Sequence, residues 1–232
     1  MSLISSLIDL IAPRRCVMCG QRLDADEELI CRSCNDELPR TLFHLNAYEN
    51  KMAQMFWGLM PVERVTALFY YAPSTKTSQI IYDLKYHHQS EIGIGMGQLA
   101  AREIKESGFF EGIDLILPVP LTKQRERERG YNQSMMIAKG ISEQTGIPIV
   151  KNAVVRLHFS QSQTHLDRWE RLKNVEQQFQ TVADAPLLRG KHVLLIDDVT
   201  TTGATLIACA TALHPKSENI RFSVLTLGFT HS

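Results

Sequence analysis

The 232-residue chain has no uninterrupted apolar run approaching the roughly 18 to 20 residues that cross a bilayer. It has no net charge either. Twenty-five Lys and Arg balance 25 Asp and Glu, so no global field argues for nucleic acid or membrane, and any polyanion site must be a local patch. There is no internal repeat and no low-complexity tract. Apolar residues at 44% and charged residues at 22% exclude wholesale disorder and collagen-like or coiled-coil architecture. The first residues, MSLISSLIDLIAP, lack a positive n-region, contain Asp9 and lead into arginines rather than a small-residue cleavage site. A secretory signal is therefore not expected, and a cytoplasmic location is. Leu3, Leu7, Ile8 and Ile11 recur at helical spacing and predict a short amphipathic helix.

Cysteine is scarce and unevenly placed. Of five, Cys16, Cys19, Cys31 and Cys34 fall within the first 35 residues and Cys209 stands alone. The pattern C-x-x-C, eleven residues, C-x-x-C lets two backbone knuckles close a tetrahedral four-thiolate site, with Gly20 where the first knuckle must turn. Without a secretory signal, zinc is favoured over disulfides, and a doubled pair over a single redox motif. Four cysteines leave no open coordination position, so the expected Zn²⁺ is structural. Cys209 sits in the apolar stretch ATLIACATAL and is expected in a buried helix.

The rest of the chain alternates strand and helix signals. Residues 65–71, 114–119, 147–150, 192–196 and 222–227 predict strands, several apolar throughout. Residues 75–86, 97–107, 132–145 and 204–213 predict helices, with Gly146 closing the third. Such alternation implies an α/β fold, a parallel sheet with helices on both faces. The expected organisation is a helix and four-cysteine module at 1–40, a connector at 41–61, helical near 47–57, and an α/β domain at 62–232. Gly93, Gly95 and Gly97 imitate a dinucleotide fingerprint, but the spacing is one residue short and no apolar strand precedes them. A loop entering a helix accounts for them.

The most informative segment is 193–205. An apolar strand ends in Asp197 and Asp198, followed by Val199, Thr200, Thr201, Thr202, Gly203, Ala204 and Thr205 at the start of a helix. Ligands of open α/β sheets bind beyond the carboxyl ends of strands. Hydroxyls and exposed N–H groups at a helix N-terminus form an anion cradle, and Gly203 permits a close backbone approach. Carboxylates beside a phosphate would repel it, so Asp197 and Asp198 need another task. They can hold vicinal hydroxyls of a sugar, directly or through a divalent ion. A sugar 5-phosphate satisfies both halves.

This segment resembles the signature of type I phosphoribosyltransferases, which bind phosphoribosyl pyrophosphate (PRPP). With the four-cysteine module in front, the whole chain resembles the ComF family of competence-associated proteins. Three further pieces fit. They are Leu84, Lys85 and Tyr86; the run from Pro118 through Arg125, Arg127 and Arg129 to Gln133; and Gln163 through Arg168 and Arg171 to Asn174. The family commonly places Gly just after the Lys-Tyr pair, where this chain has His87 and His88.

The resemblance implies a type I phosphoribosyltransferase-like fold over roughly 62–228, PRPP bound with Mg²⁺ at 197–205, and Asp197 and Asp198 as magnesium candidates. It places pyrophosphate at the loop after the first core strand. In extended chain Arg125, Arg127 and Arg129 would face one way and Glu126 and Glu128 the other, presenting guanidinium groups to phosphate. Lys85 is a further pyrophosphate candidate. Arg168 and Arg171 lie where these enzymes carry a hood. Three functions follow. One is phosphoribosyl transfer to an acceptor such as a nucleobase, although no residue stands out as nucleophile or general base. Another is handling of single-stranded DNA in natural transformation, beside a helicase-type partner, with basic residues 123–129 on the backbone and Tyr131 stacking a base. The third is an anion-binding regulator that has lost the chemistry.

Overall fold

The computed structural model of the protein describes residues 13–157, 178–182, 188–213 and 219–230. The cysteine-bearing segment contains α1 (Arg32–Asp36). A 3-10 turn (Phe43–Asn46) and α2 (Lys51–Gln54) lead into β1 (Val62–Tyr70), followed by α3 (Lys76–Tyr86) and α4 (Ser90–Ile104). Next come β2 (Leu115–Pro118), α5 (Lys123–Arg129), α6 (Gln133–Thr145), β3 (Val154–Arg156) and β4 (Phe179–Thr181). The chain continues with β5 (His192–Thr200), α7 (Ala204–Leu213) and β6 (Arg221–Phe229). The predicted N-terminal helix lies outside the described residues.

Four strands form one parallel sheet in the order β1-β6-β5-β2. The period of two divides its side chains between two cores. Leu194, Ile196, Leu225 and Leu227 pack with Ile80, Met96 and Ile137 of α3, α4 and α6. Val193, Leu195, Phe222 and Val224 pack with Met52, Phe56, Leu206 and Leu213 on the opposite face. Helices therefore cover both faces, as the continuous apolar strands predict. Neither edge is bare. Pro39 and Thr41 exchange backbone hydrogen bonds with Tyr70 and Leu68 of β1, and Ile149 bridges Ile116 of β2 in parallel.

Three local expectations are corrected. Strand β5 does not stop at Ile196: Asp197 pairs with Thr226 and Thr200 with Phe229, because β6 extends far enough to supply partners. The connector is not one helix. Asn50 caps α2 by accepting from Met52 and Ala53 N–H, and its Nδ2 donates to Val65 O at 2.8 Å, so the helix starts late and is tied to β1. The glycine triplet lies inside α4, not in a loop before it. A methyl on Gly97 would collide with the Ile137 carbonyl, and one on Gly140 with the Ile94 carbonyl. These glycines let α4 and α6 cross at backbone contact, a packing use of a pattern that imitates a nucleotide loop.

Candidate functional site

The four-cysteine cluster is built locally. An antiparallel bridge between Arg15 and Arg22 closes the first knuckle, in which Cys16 N–H donates to Gln21 O and Gly20 N–H to Cys16 O, both at 2.8 Å. Cys31 and Cys34 bracket the start of α1, and Cys31 N–H donates to Cys16 Sγ at 3.3 Å. All four Sγ atoms lie within 4.8 Å of one another. Cys19 and Cys31 are 3.7 Å apart, far beyond a disulfide and close to the spacing of about 3.8 Å that Zn–S bonds of about 2.3 Å impose on a tetrahedron. Burial works against the Cys16 thiolate, but N–H groups of Cys31, Cys19 and Met18 outweigh it and leave its pKa lowered to about 7. Burial, then the neighbouring thiols, push Cys34 up. The donor set fits zinc. Cys209 is a different case, a buried core thiol of α7 pushed up to about 12 by burial.

The second cluster gathers at the carboxyl end of β5. Asp197 and Asp198 occupy consecutive strand positions and so look to opposite faces of the sheet. Asp197 Oδ1 accepts from its neighbour's N–H at 2.9 Å and from Ser134 Oγ at 3.0 Å. Asp198 Oδ1 accepts from Val199 N–H at 2.7 Å, and its Oδ2 pairs with Lys85 Nζ at 3.0 Å. Burial, then the charge of Asp198, push Asp197 up to about 7. The Lys85 ammonium partly offsets the repulsion between the two carboxylates.

Beyond the pair, Thr201 and Thr202 are exposed, Ala204 and Thr205 are half-buried, and Gly203 turns the chain at φ +72° into α7. Gly203 lies on Phe56, whose ring a methyl there would approach to 3.0 Å, so the opposite core supports the loop from below. Ile207 N–H donates to Gly203 O at 2.9 Å, which leaves the preceding N–H groups at the helix start for an anion. Thr200 differs from its neighbours. It is buried, its carbonyl accepts from Thr230, and its hydroxyl has no partner among the described residues.

Lys85 reaches this end from the last turn of α3. The turn after it solves the missing glycine by putting His88 at φ +55°, with its ring against Gly130. The arginine run is helical, which corrects the extended reading. It forms α5, capped by Thr122, so Arg125 and Arg129 share a face and Arg127 turns away from it. Arg125 and Arg127 are exposed, whereas Arg129 donates to Gln133 Oε1 at 2.9 Å and lies 6.0 Å from the Tyr86 ring centroid. Tyr131 is not a free stacking surface: its hydroxyl donates to Leu84 O at 2.6 Å, and burial pushes it up to about 12. Arg168 and Arg171 lie outside the described residues.

Two neighbours of the site escape the sequence reasoning. Ser134 follows the helix-capping Asn132 and looks like an ordinary first-turn serine. Arg156 ends the short strand β3, donates to Gln178 Oε1 at 3.1 Å and stacks 5.3 Å from the Phe179 ring centroid. Burial, then Arg125, lower its pKa, and Asp197 opposes that shift, so its charge is felt at the carboxylate pair. An arginine closing a β-branched run was its only signal.

Comparison with known proteins places this geometry. Residues 85–226, from Lys85 through the carboxylate pair into β6, match the family model described as phosphoribosyl transferase domain. The chain is 29% identical over 201 residues to DNA utilization protein YhgH of Escherichia coli strain K12, covering 85% of this chain and 83% of that one. It is 26% identical over 201 residues to Competence protein F of Haemophilus influenzae, covering 83% and 87%. It is 34% identical over 113 residues to Competence protein ComFC of Bacillus subtilis, covering 49% and 43%. The chain therefore belongs to the phosphoribosyl transferase domain family, and within it to the ComF group that its sequence resembles.

Proposed function

We propose that the protein binds PRPP with Mg²⁺ at the carboxyl end of β5 and acts in DNA uptake or nucleotide salvage, on the cytoplasmic side of DNA entry. One observation carries this reading. Strand β5 delivers two adjacent carboxylates, and the chain then turns at Gly203 so that exposed threonines and the N-terminus of α7 face the same end of the sheet. The 5-phosphate lies on residues 201–205 and the ribose diol on Asp197 and Asp198. The pyrophosphate lies toward Lys85, Arg125 and Arg129, with Arg127, Arg168 and Arg171 as further candidates. Asp197 and Asp198 would hold Mg²⁺, which when bound would neutralise charge on pyrophosphate and make it a better leaving group. The protein's contribution to transfer is positional and electrostatic, and a nucleobase is the candidate acceptor. The four-cysteine cluster holds one structural Zn²⁺.

Titration calorimetry tests the reading. Asp197→Asn with Asp198→Asn keeps size and removes charge, and should weaken PRPP binding at least about tenfold, or about 1.4 kcal/mol. Thr202→Val should weaken it too, and ribose 5-phosphate should compete. Equal PRPP affinity in wild type and double variant would end the assignment. Pyrophosphate release with a nucleobase panel then separates an enzyme from a binding protein.

A second reading, single-stranded DNA handling with PRPP or a nucleotide as regulatory ligand, is favoured by a different surface. Tyr82 and Tyr86 are exposed, their ring centroids 5.0 Å apart, and Arg129 lies over Tyr86. Aromatic pairs beside cations stack bases and hold backbone. This pair takes the role that Tyr131 cannot fill. Salt-dependent binding of single-stranded DNA that is lost in Tyr82→Ala with Tyr86→Ala would support it. A helicase-type partner belongs to this reading.

A further inference from the structure

Lys85 and Asp198 form an ion pair that the PRPP reading cannot leave intact. Their side chains are only 25% and 12% exposed, and the ammonium sits 3.0 Å from Asp198 Oδ2. The other carboxylate oxygen is tied to Val199 N–H. The oxygen that Lys85 occupies is thus the one through which Asp198 would meet a metal or a diol.

The backbone beneath Lys85 is fixed. Leu84 is fully buried and its carbonyl accepts the Tyr131 hydroxyl, so any movement falls to the flexible four-carbon arm of the lysine. The neighbouring carboxylate matters as well. Asp197 is crowded by Asp198, and the Lys85 charge partly relieves that crowding. Removing Lys85 leaves the pair short of a positive charge.

We propose that Lys85 is an internal latch on the carboxylate pair: its ammonium competes with a divalent cation or ribose diol for Asp198, and once displaced it is free to pair with pyrophosphate oxygens. This rests on the PRPP reading of the site and adds to it a competition with a sign. A ligand that lacks pyrophosphate must displace Lys85 with no return. A ligand that carries pyrophosphate regains the ammonium as a new partner. The latch therefore favours PRPP over its hydrolysis product by differential affinity rather than by shape.

The test uses the zinc-loaded full chain as wild type, Lys85→Met and Lys85→Arg. Mn²⁺ alone is titrated and followed by the paramagnetic signal of the free ion. Ribose 5-phosphate and PRPP, each with Mg²⁺, are titrated by calorimetry. Lys85→Met should bind Mn²⁺ and ribose 5-phosphate at least about threefold tighter and PRPP weaker, shifting the ratio of the two sugar affinities at least about tenfold. Lys85→Arg should keep the wild-type order. If Lys85→Met perturbs α3 by circular dichroism, Lys85→Gln repeats the measurement without the charge. Unchanged or weaker Mn²⁺ and ribose 5-phosphate binding on loss of the charge overturns the latch. Wild type that binds neither sugar phosphate overturns the PRPP reading instead, and the Mn²⁺ titration alone then decides the latch.

Discussion

The four-cysteine module and the site at the end of β5 are assembled in opposite ways. The cysteine cluster closes within residues 16–34, and every cysteine is placed by a turn or helix start a few residues away. The β5 site draws Lys85, Ser134, Arg156 and the Asp197–Asp198 pair from four separate elements, and only the packed sheet brings them together. A local site announces itself by spacing. A distributed site announces only the part that is contiguous, here the run from Asp197 to Thr205.

Zinc removal should have the largest effect. Chelation, or Cys31→Ser, removes metal energy that is also folding energy, several kcal/mol, and should release one zinc per chain. Residues 14–38 are expected to unfold while the sheet persists. Cys16, Cys31 and Cys34 nevertheless share one apolar cluster with Ile80, Met96 and Ile137. A single concerted melt of module and sheet by circular dichroism would show that the two regions fold as one unit.

Next comes the crossing of α4 and α6, which positions Ser134. Gly97→Ala drives a methyl into the Ile137 carbonyl and should cost about 3 kcal/mol in urea denaturation, at the upper end of overpacking penalties. Gly95→Ala meets only the flexible end of Leu29 and should cost below about 1 kcal/mol. Similar costs at both positions would remove the packing explanation for the glycine pattern.

The smallest effect is one of pH. Asp197 titrates near 7 in the fold against an ordinary value of 3.8, because of burial and then the Asp198 charge. The folded state therefore binds this proton more tightly than the unfolded chain. Stability present below about pH 4 is lost as pH rises through 7. Asp197→Asn removes that loss and should be on the order of 2 kcal/mol more stable than wild type at pH 8, with no gain near pH 4. The full linkage value is reduced because the side chain keeps some solvent contact. Urea midpoints across pH check the sign, and parallel curves for the two proteins would refute it.

Much was legible before any coordinates. Helix α7 has the bounds its composition predicts, α6 begins and ends at Asn132 and Gly146 as their capping chemistry requires, and the apolar strands form a parallel sheet. The misreadings share a cause. Alternating Arg and Glu in residues 125–129 satisfy a strand's period, but Thr122 starts a helix there and Gly130 ends it. Asp197 and Asp198 look like the end of a strand, but β6 supplies further partners. In each case the deciding group lies outside the window that the pattern occupies.

By itself the sequence determined what depends on near neighbours: the four thiolates, the helix caps, the alternation of strand and helix, and the order of carboxylates, threonines and glycine from Asp197 to Thr205. The tertiary structure alone decided that Lys85 meets Asp198, that Ser134 donates to Asp197, that Tyr131 turns inward while Tyr86 stays out, and that Gly97 and Gly140 serve a helix crossing. The physical reason is that hydrogen bonds and ion pairs act over about 3 Å. Residues as far apart in the chain as Ser134 and Asp197, or Lys85 and Asp198, share that distance only after the cores on both sides of the sheet have packed.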